Sequence, residues 1–93
     1  METDNDKIME TADRIKAMGH PLRLKMLCVM DDQERTVTDL INACGTSQSN
    51  ISQHLSILRD AKIVATRKHD NLVYYRIRDP RTIELVKIMR DVL

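Results

Sequence analysis

The hydrophobic pattern of the chain changes period once between residues 36 and 77, and this change restricts the fold more than any other feature. Two segments with apolar residues at helical spacing come first. Two β-prone runs follow, at residues 63–68 and 72–77, and His69, Asp70 and Asn71 between them are residues that form turns readily. The pattern therefore predicts a pair of helices followed directly by a two-stranded β-hairpin.

Glycine and proline residues divide the preceding part of the chain into helices. Apolar residues at helical spacing from Ile8 to Met18 predict a first helix, which we expect Gly19 to end because glycine accepts a positive φ. Pro21 suits the first turn of a second helix. The largely apolar segment 22–30 predicts that this second helix is the buried central one.

A tight junction separates the next two helices. Thr36 and Asp39 form a Thr-x-x-Asp pair that predicts the start of a third helix, and Gly45 predicts its end. Ser47 predicts the N-cap of a fourth helix almost at once. Two short helices joined by a glycine-containing turn are typical of a helix-turn-helix. After the hairpin, Asp79 predicts the N-cap of a last helix that runs to the C-terminus.

The predicted order is helix, helix, helix-turn-helix, hairpin, helix, which is a winged helix. We expect one mainly α domain over residues 1–93, with the β-hairpin as its wing. The last helix carries two apolar stripes, one of which can cover the core of the domain. That stripe consists of Ile83, Val86, Met89 and Leu93. The second stripe, which consists of Leu85, Ile88 and Val92, has nothing left to cover in so small a domain.

The charge of the chain is balanced overall but not along its length. The net charge is +1, yet residues 1–53 carry 6 basic and 9 acidic side chains, and residues 54–93 carry 9 and 5. A uniformly basic chain would favour general polyanion binding. This division instead favours one basic and one acidic face, which is a weaker indication of a nucleic-acid partner.

Several classes of protein are disfavoured by what the sequence lacks. No apolar run approaches the roughly 20 residues of a membrane span, and the acidic start of the chain is unlike a signal peptide. We therefore expect a cytoplasmic protein without membrane contact, whose two cysteines stay reduced. We also expect no enzyme activity and no cofactor, because the chain has no phosphate-binding glycine loop and no nucleophile elbow.

The fourth helix has two chemically different faces. At about 100° per residue, Ile51, Leu55 and Leu58 cluster on one side. The opposite side, about 150° away, has only small hydroxyls and an amide. These residues are Ser49, Ser52, Gln53 and Ser56. Such uncharged donors and acceptors can address base edges in the DNA major groove, although a helix that is serine-rich without binding anything is the alternative.

Three segments together resemble the ArsR/SmtB family of bacterial repressors. Residues 20–27, 47–59 and 73–77 read HPLRLKML, SQSNISQHLSILR and VYYRI. The resemblance covers nearly the whole chain. It implies a homodimeric winged-helix repressor whose first and last helices form the dimer interface. The two recognition helices would then reach successive major grooves of an inverted repeat in double-stranded DNA.

The resemblance also assigns residues to these surfaces. Ser47 would cap the recognition helix and meet a phosphate, and His54, on its flank, is expected rather to pack within the domain. The residues assigned to DNA are Ser47, Gln48, Ser49, Asn50, Ser52, Gln53, His54 and, in the wing, Arg67, Lys68, His69 and Asn71. Those assigned to the dimer interface are Ile8, Ile15, Leu85, Ile88 and Val92. For Arg67 and Lys68 the alternative is a charged hairpin edge that prevents aggregation.

The signal that such a repressor senses is left open. Thr36 and Thr38 stand where the arsenic- and lead-type members have a Cys-x-Cys, and residues 80–93 contain no His or Cys for a zinc site. We therefore predict no metal site. Cys28 resembles the thiol of redox-sensing members, with Cys44 as the only other thiol, but a free cysteine is also a common small core residue. A winged helix that contacts proteins without specific DNA binding is the alternative function.

Overall fold

The computed structural model describes residues 4–92, and its elements follow the predicted order. These residues form five helices and a two-stranded antiparallel hairpin, which lies between the fourth and fifth helices along the chain. The predicted winged-helix fold class is therefore confirmed. The elements are α1 (Asn5–Met18), α2 (Pro21–Met30), α3 (Val37–Cys44), α4 (Gln48–Asp60), β1 (Val64–His69), β2 (Leu72–Ile77) and α5 (Pro80–Val92).

The helix boundaries are set by local capping contacts. Thr36 and Asp39 form a complete capping box at α3, and the backbone N–H of Thr36 holds the pKa of the Asp39 carboxyl below its usual value. Ser47 Oγ accepts a hydrogen bond from the N–H of Asn50 at 3.2 Å, which confirms it as the N-cap of α4. Gly45 has a φ of 67°, a left-handed conformation that glycine adopts without penalty.

The reason that we gave for Gly19 is wrong. Gly19 does follow the last residue of α1, but its φ is −81°, so no positive φ requires a glycine there. An added Cβ would lie 3.4 Å from the carbonyl oxygen of Ile15, which is ordinary contact. The end of α1 therefore depends on the following residues, His20 and Pro21, of which the first caps α2 and the second opens it.

The core forms where α2, α3, α4 and α5 meet. Met26, Leu27 and Met30 of α2 are completely buried, as expected for a central helix. The fully buried residues of the other helices are Leu40, Ile51, Leu55, Leu58 and Val86. Removing such a side chain to alanine costs about 2–5 kcal/mol. This core fixes α4 with its apolar side inward.

The hairpin is closed by a two-residue turn. Asp70 and Asn71 both have positive φ, 49° and 67°, which is the type I′ geometry that matches the twist of the strands. His69, which we expected in the turn, instead ends β1 and pairs with Leu72. The register is fixed further along by the pair Val64 and Ile77, whose side chains are both buried.

Helix α5 divides as its two stripes predict. Val86 is completely buried, and Ile83 and Met89 pack against the core beside it. Leu93, the last member of that stripe, lies outside the described residues. Asp79 Oδ1 accepts a hydrogen bond from the N–H of Arg81 at 2.9 Å, so it caps α5 as predicted. No helix within residues 4–92 is both long and apolar enough to cross a membrane.

Candidate nucleic-acid interface

The exposed face of α4 consists of uncharged polar side chains. Ile51, Leu55 and Leu58 on its inner side are at most 2% exposed. The residues of the opposite side are all exposed, and they are Ser49, Ser52, Gln53 and Ser56. Within residues 4–92 none of these four side chains makes a hydrogen bond to the protein. Their donors and acceptors are therefore available to an external polar partner.

The N-terminal end of α4 is held by the turn that precedes it. The amide Nδ2 of Asn50 donates to Thr46 Oγ1 at 3.0 Å, across the junction between α3 and α4. The Ser47 hydroxyl caps the helix by accepting from the Asn50 N–H, and its own proton stays free to donate. Gln48 is exposed beside them. The first turn thus presents free backbone N–H groups and a hydroxyl, which is a favourable setting for a phosphate.

The side chain of His54, on α4, packs against the start of α2. Its Nδ1 accepts a hydrogen bond from Arg23 Nη1 at 3.0 Å, and its ring stacks on that of His20 with 4.4 Å between centroids. Burial, together with the adjacent His20 and Arg23, lowers the pKa of His54, so the neutral ring is favoured. The internal packing that we expected for His54 is what the structure has, and its Nδ1 is not available to a base.

In the wing, Arg67 is held by two neighbours that we did not predict. Arg67 Nε donates to Glu34 Oε2 at 2.7 Å, and its guanidinium lies 4.7 Å from the centroid of the Tyr74 ring. The hydrogen bond to Glu34 raises the pKa of Arg67. Tyr74 could have been found from the register, because it pairs with Arg67 across the hairpin. Glu34 could not have been found in this way, because it lies 33 residues from Arg67 in a polar segment without a recognisable pattern.

The tip of the wing is exposed, and Lys68 gives it a positive charge. Lys68, His69 and Asn71 are all exposed, and His69 Nε2 lies 3.2 Å from the Asp70 carboxylate. At the base of the wing, Arg35 exchanges two backbone hydrogen bonds with Tyr75, at 2.9 and 2.8 Å. This isolated bridge joins the wing to the loop before α3. The wing is therefore fixed relative to the helix-turn-helix, with Lys68 the exposed cation nearest its tip.

A second uncovered surface lies on α1 and α5. Ile8 and Ile15 of α1 are 48% and 59% exposed, and Met9 beside them is 66% exposed. On α5 the exposed residues are Leu85, Ile88 and Val92, at 43%, 58% and 74%. The five residues predicted for the dimer interface are thus all exposed in the single chain. Met9 was missed because it lies outside the apolar spacing of α1. Apolar exposure concentrated on two helices is typical of a surface that another molecule covers.

Both cysteines are free thiols and half-buried. Burial raises the pKa of Cys44, although Lys25 opposes the effect, so its thiolate is disfavoured. Among residues 4–92 no three His, Cys, Asp or Glu side chains come together as a metal site would need.

Comparison with known proteins identifies the family. Residues 20–66, which include α4, match the family model described as bacterial regulatory protein, arsR family. The chain belongs to this family. It is 32% identical over 80 residues to the biofilm growth-associated repressor of Xylella fastidiosa, and the alignment covers 86% of this chain and 70% of the relative.

Solved structures agree with the family assignment. The structure of HlyU from Vibrio cholerae superposes with a TM-score of 0.89 at 29% identity, over 96% of this chain and 97% of that one. A Mycobacterium bovis domain described as a homodimeric winged helix-turn-helix superposes with a TM-score of 0.84 at 25% identity, over 98% and 86%. The chain is therefore a DNA-binding transcriptional regulator, and a module that contacts only proteins is not favoured.

Proposed function

We propose that the chain is a homodimeric repressor that binds an inverted-repeat operator and leaves it in response to a cellular signal. The observation that carries this proposal is the exposed, uncharged face of α4, which is chemically suited to base edges in a major groove. In this role α4 is the recognition helix, and the protein acts on chromosomal DNA in the cytoplasm without a cofactor or an enzymatic step.

The apolar residues of α1 and α5 supply the dimer interface. Ile8, Ile15, Leu85, Ile88 and Val92 would become buried against the partner chain, and burial of apolar surface contributes about 25 cal/mol per Å². A two-fold dimer brings the two copies of α4 to successive major grooves, about 34–36 Å apart. The homodimeric Mycobacterium bovis domain supports this assembly.

In this proposal two groups of side chains contact DNA, one at the bases and the other at the phosphate backbone. On α4, Gln53 and Ser52 meet base edges with Ser49 and Gln48 beside them, while Ser47 and Asn50 fix the first turn near a phosphate. In the wing, Lys68, His69 and Asn71 lie along the backbone, where cations gain affinity by releasing counterions. Arg67 contributes less than its charge suggests, because Glu34 already neutralises it.

The signal acts by favouring the dimer geometry that cannot span the operator. Coupling of about 1–3 kcal/mol between a ligand and DNA is enough for regulation. Burial raises the pKa of Cys44 and so disfavours its reactive thiolate. Cys28, which resembles the thiol of redox-sensing members, is therefore the candidate that we propose for a redox signal.

The test begins with selection of duplexes from a randomised library by the purified protein. Fluorescence anisotropy with the selected duplex and a scrambled one, at two salt concentrations, then measures specificity and salt dependence. The proposal predicts an inverted repeat, a preference of at least about 1,000-fold over the scrambled duplex, and affinity that falls steeply with salt. Selection without any enriched palindrome, or affinity that is independent of salt, would contradict it.

A further inference from the structure

Arg23 connects three helices through side-chain hydrogen bonds. It lies in the first turn of α2, half-buried, and its Nε donates to the carbonyl oxygen of Ala17 at the end of α1. Its Nη1 donates to Nδ1 of His54 on α4 at 3.0 Å. The end of α1 leaves carbonyl oxygens without helical partners, and Arg23 satisfies one of them. A single guanidinium thus joins the helix that faces the dimer partner to the helix that faces DNA.

Both acceptors of Arg23 are uncharged, so the contact is not an ion pair. It depends on the directions in which the guanidinium N–H groups point. A guanidinium can only donate, so Nδ1 of His54 must be unprotonated and its proton must lie on Nε2. The same holds for His20, whose Nδ1 accepts the N–H of Leu22 at 3.1 Å and thereby caps α2. The two rings stack at 4.4 Å. The arrangement therefore requires both imidazoles in one tautomer and neutral.

Helix α1 is attached to the domain mainly at its C-terminal end. Only Ala17 and Met18 of its described residues are buried, while the rest of the helix is exposed. A helix of 14 residues extends about 21 Å, so a small rotation at that end moves the other end by several ångströms. In a dimer that uses α1, a change at the Ala17 contact would therefore alter how far apart the two copies of α4 lie.

We propose that Arg23 is a positioning residue for DNA binding, which sets the separation of the two recognition helices by joining Ala17 of α1 to His54 of α4. This rests on the proposed binding of an inverted repeat by a dimer. Arg23 is half-buried with its donors directed at Ala17 and His54, so in this proposal it acts through the angle between α1 and α4 rather than by touching DNA. The other charged groups that line the surface depression beside Arg23 are Asp13 and Lys16 of α1 and Asp60 of α4.

The test compares Arg23→Lys and Arg23→Gln with the wild type on three duplexes. These are the inverted repeat selected by the wild-type protein, the same repeat with its half-sites moved by one base pair, and a single half-site. Lysine keeps the charge but cannot donate to both acceptors at once with the geometry of a planar fork. Lys7→Gln, an exposed change on α1 far from Arg23 in the sequence, controls for the loss of one positive charge.

Both Arg23 variants are expected to lose about 5- to 150-fold in affinity for the full repeat, the usual range of coupling between sites. Their affinity for the half-site should stay within about twofold of the wild type, and their preference for the original spacing should weaken. His54→Asn, which keeps an acceptor atom near Nδ1, should bind the full repeat better than His54→Leu. A thermal unfolding curve for each variant verifies that the variant is still folded at the assay temperature.

Three results would overturn the role of Arg23. These are full-repeat affinity within twofold of the wild type in both variants, equal losses on the half-site and the full repeat, or unchanged spacing preference despite a loss. None of them affects the proposed function, which fails only if the wild type selects no inverted repeat. The two ideas are therefore tested separately by the same set of duplexes.

Discussion

Helix α4 and the pair α1 and α5 each leave one face uncovered, and the two faces have opposite chemistry. On α4 the uncovered residues are serines and a glutamine, whereas on α1 and α5 they are isoleucine, leucine, valine and methionine. An apolar face gains from burial against another apolar face, and an uncharged polar face gains from matched hydrogen bonds. The difference suits the two partners that we propose, a second copy of the chain for the apolar face and DNA for the polar face.

The largest expected effect comes from placing charge on the apolar face. Ile88→Glu should produce monomers, because the new carboxylate would have to be buried without a partner in the interface. Ile88 is 58% exposed in the single chain, so the fold itself should survive. Operator affinity should fall by at least about 100-fold, since binding through two linked sites is lost.

Light scattering and sedimentation measure the mass of this variant. Leu72→Glu is a matched control, because Leu72 is 50% exposed but lies at the wing, away from α1 and α5. A dimeric Ile88→Glu variant, or a monomeric Leu72→Glu variant, would show that the apolar face has been placed wrongly.

The next effect tests the polar face. Gln53→Ala should lower the preference for the selected operator over single-base variants by about 10- to 100-fold, in line with about 1–3 kcal/mol per base contact. Competition binding with a set of single-base variants measures this. Gln33→Ala, an exposed glutamine in the loop before α3, should leave the preference unchanged. If both glutamine variants retain it, α4 does not read bases through Gln53.

A smaller and different effect is expected in the wing. Lys68→Ala should weaken binding to operator and scrambled duplex alike, and should reduce the slope of log affinity against log salt by about 1. The reason is that Lys68 is exposed and unpaired among the described residues, so its charge is free for a phosphate. Titrations at four salt concentrations measure the slope. A loss confined to the operator would mean that Lys68 reads sequence instead.

These contrasts show which parts of the molecule follow from local sequence. Helix ends at Ser47 and Gly45, the period change at the hairpin and the two faces of α4 were all predictable, because each depends on residues within one or two turns. The contacts that orient these parts were not. Arg23 with His54, and Arg67 with Glu34, join residues 31 and 33 positions apart, and only the folded chain brings them together.

The smallest effect is on folding stability, and it concerns His54 of α4, which Arg23 links to the end of α1. Its pKa is lowered in the folded chain by burial, His20 and Arg23, so below the unfolded value of about 6.5 the unfolded chain binds more protons than the folded one. The stability contributed by neutral His54 is therefore complete above that pH and declines as the pH falls further.

His54→Asn should lose less stability than the wild type between pH 7.5 and 5.5, because asparagine does not titrate. Urea unfolding at both pH values measures the difference, with His69→Asn, an exposed histidine at the end of β1, as the control. Equal losses in His54→Asn and the wild type would show that the packing of α1 against α4 is insensitive to this proton.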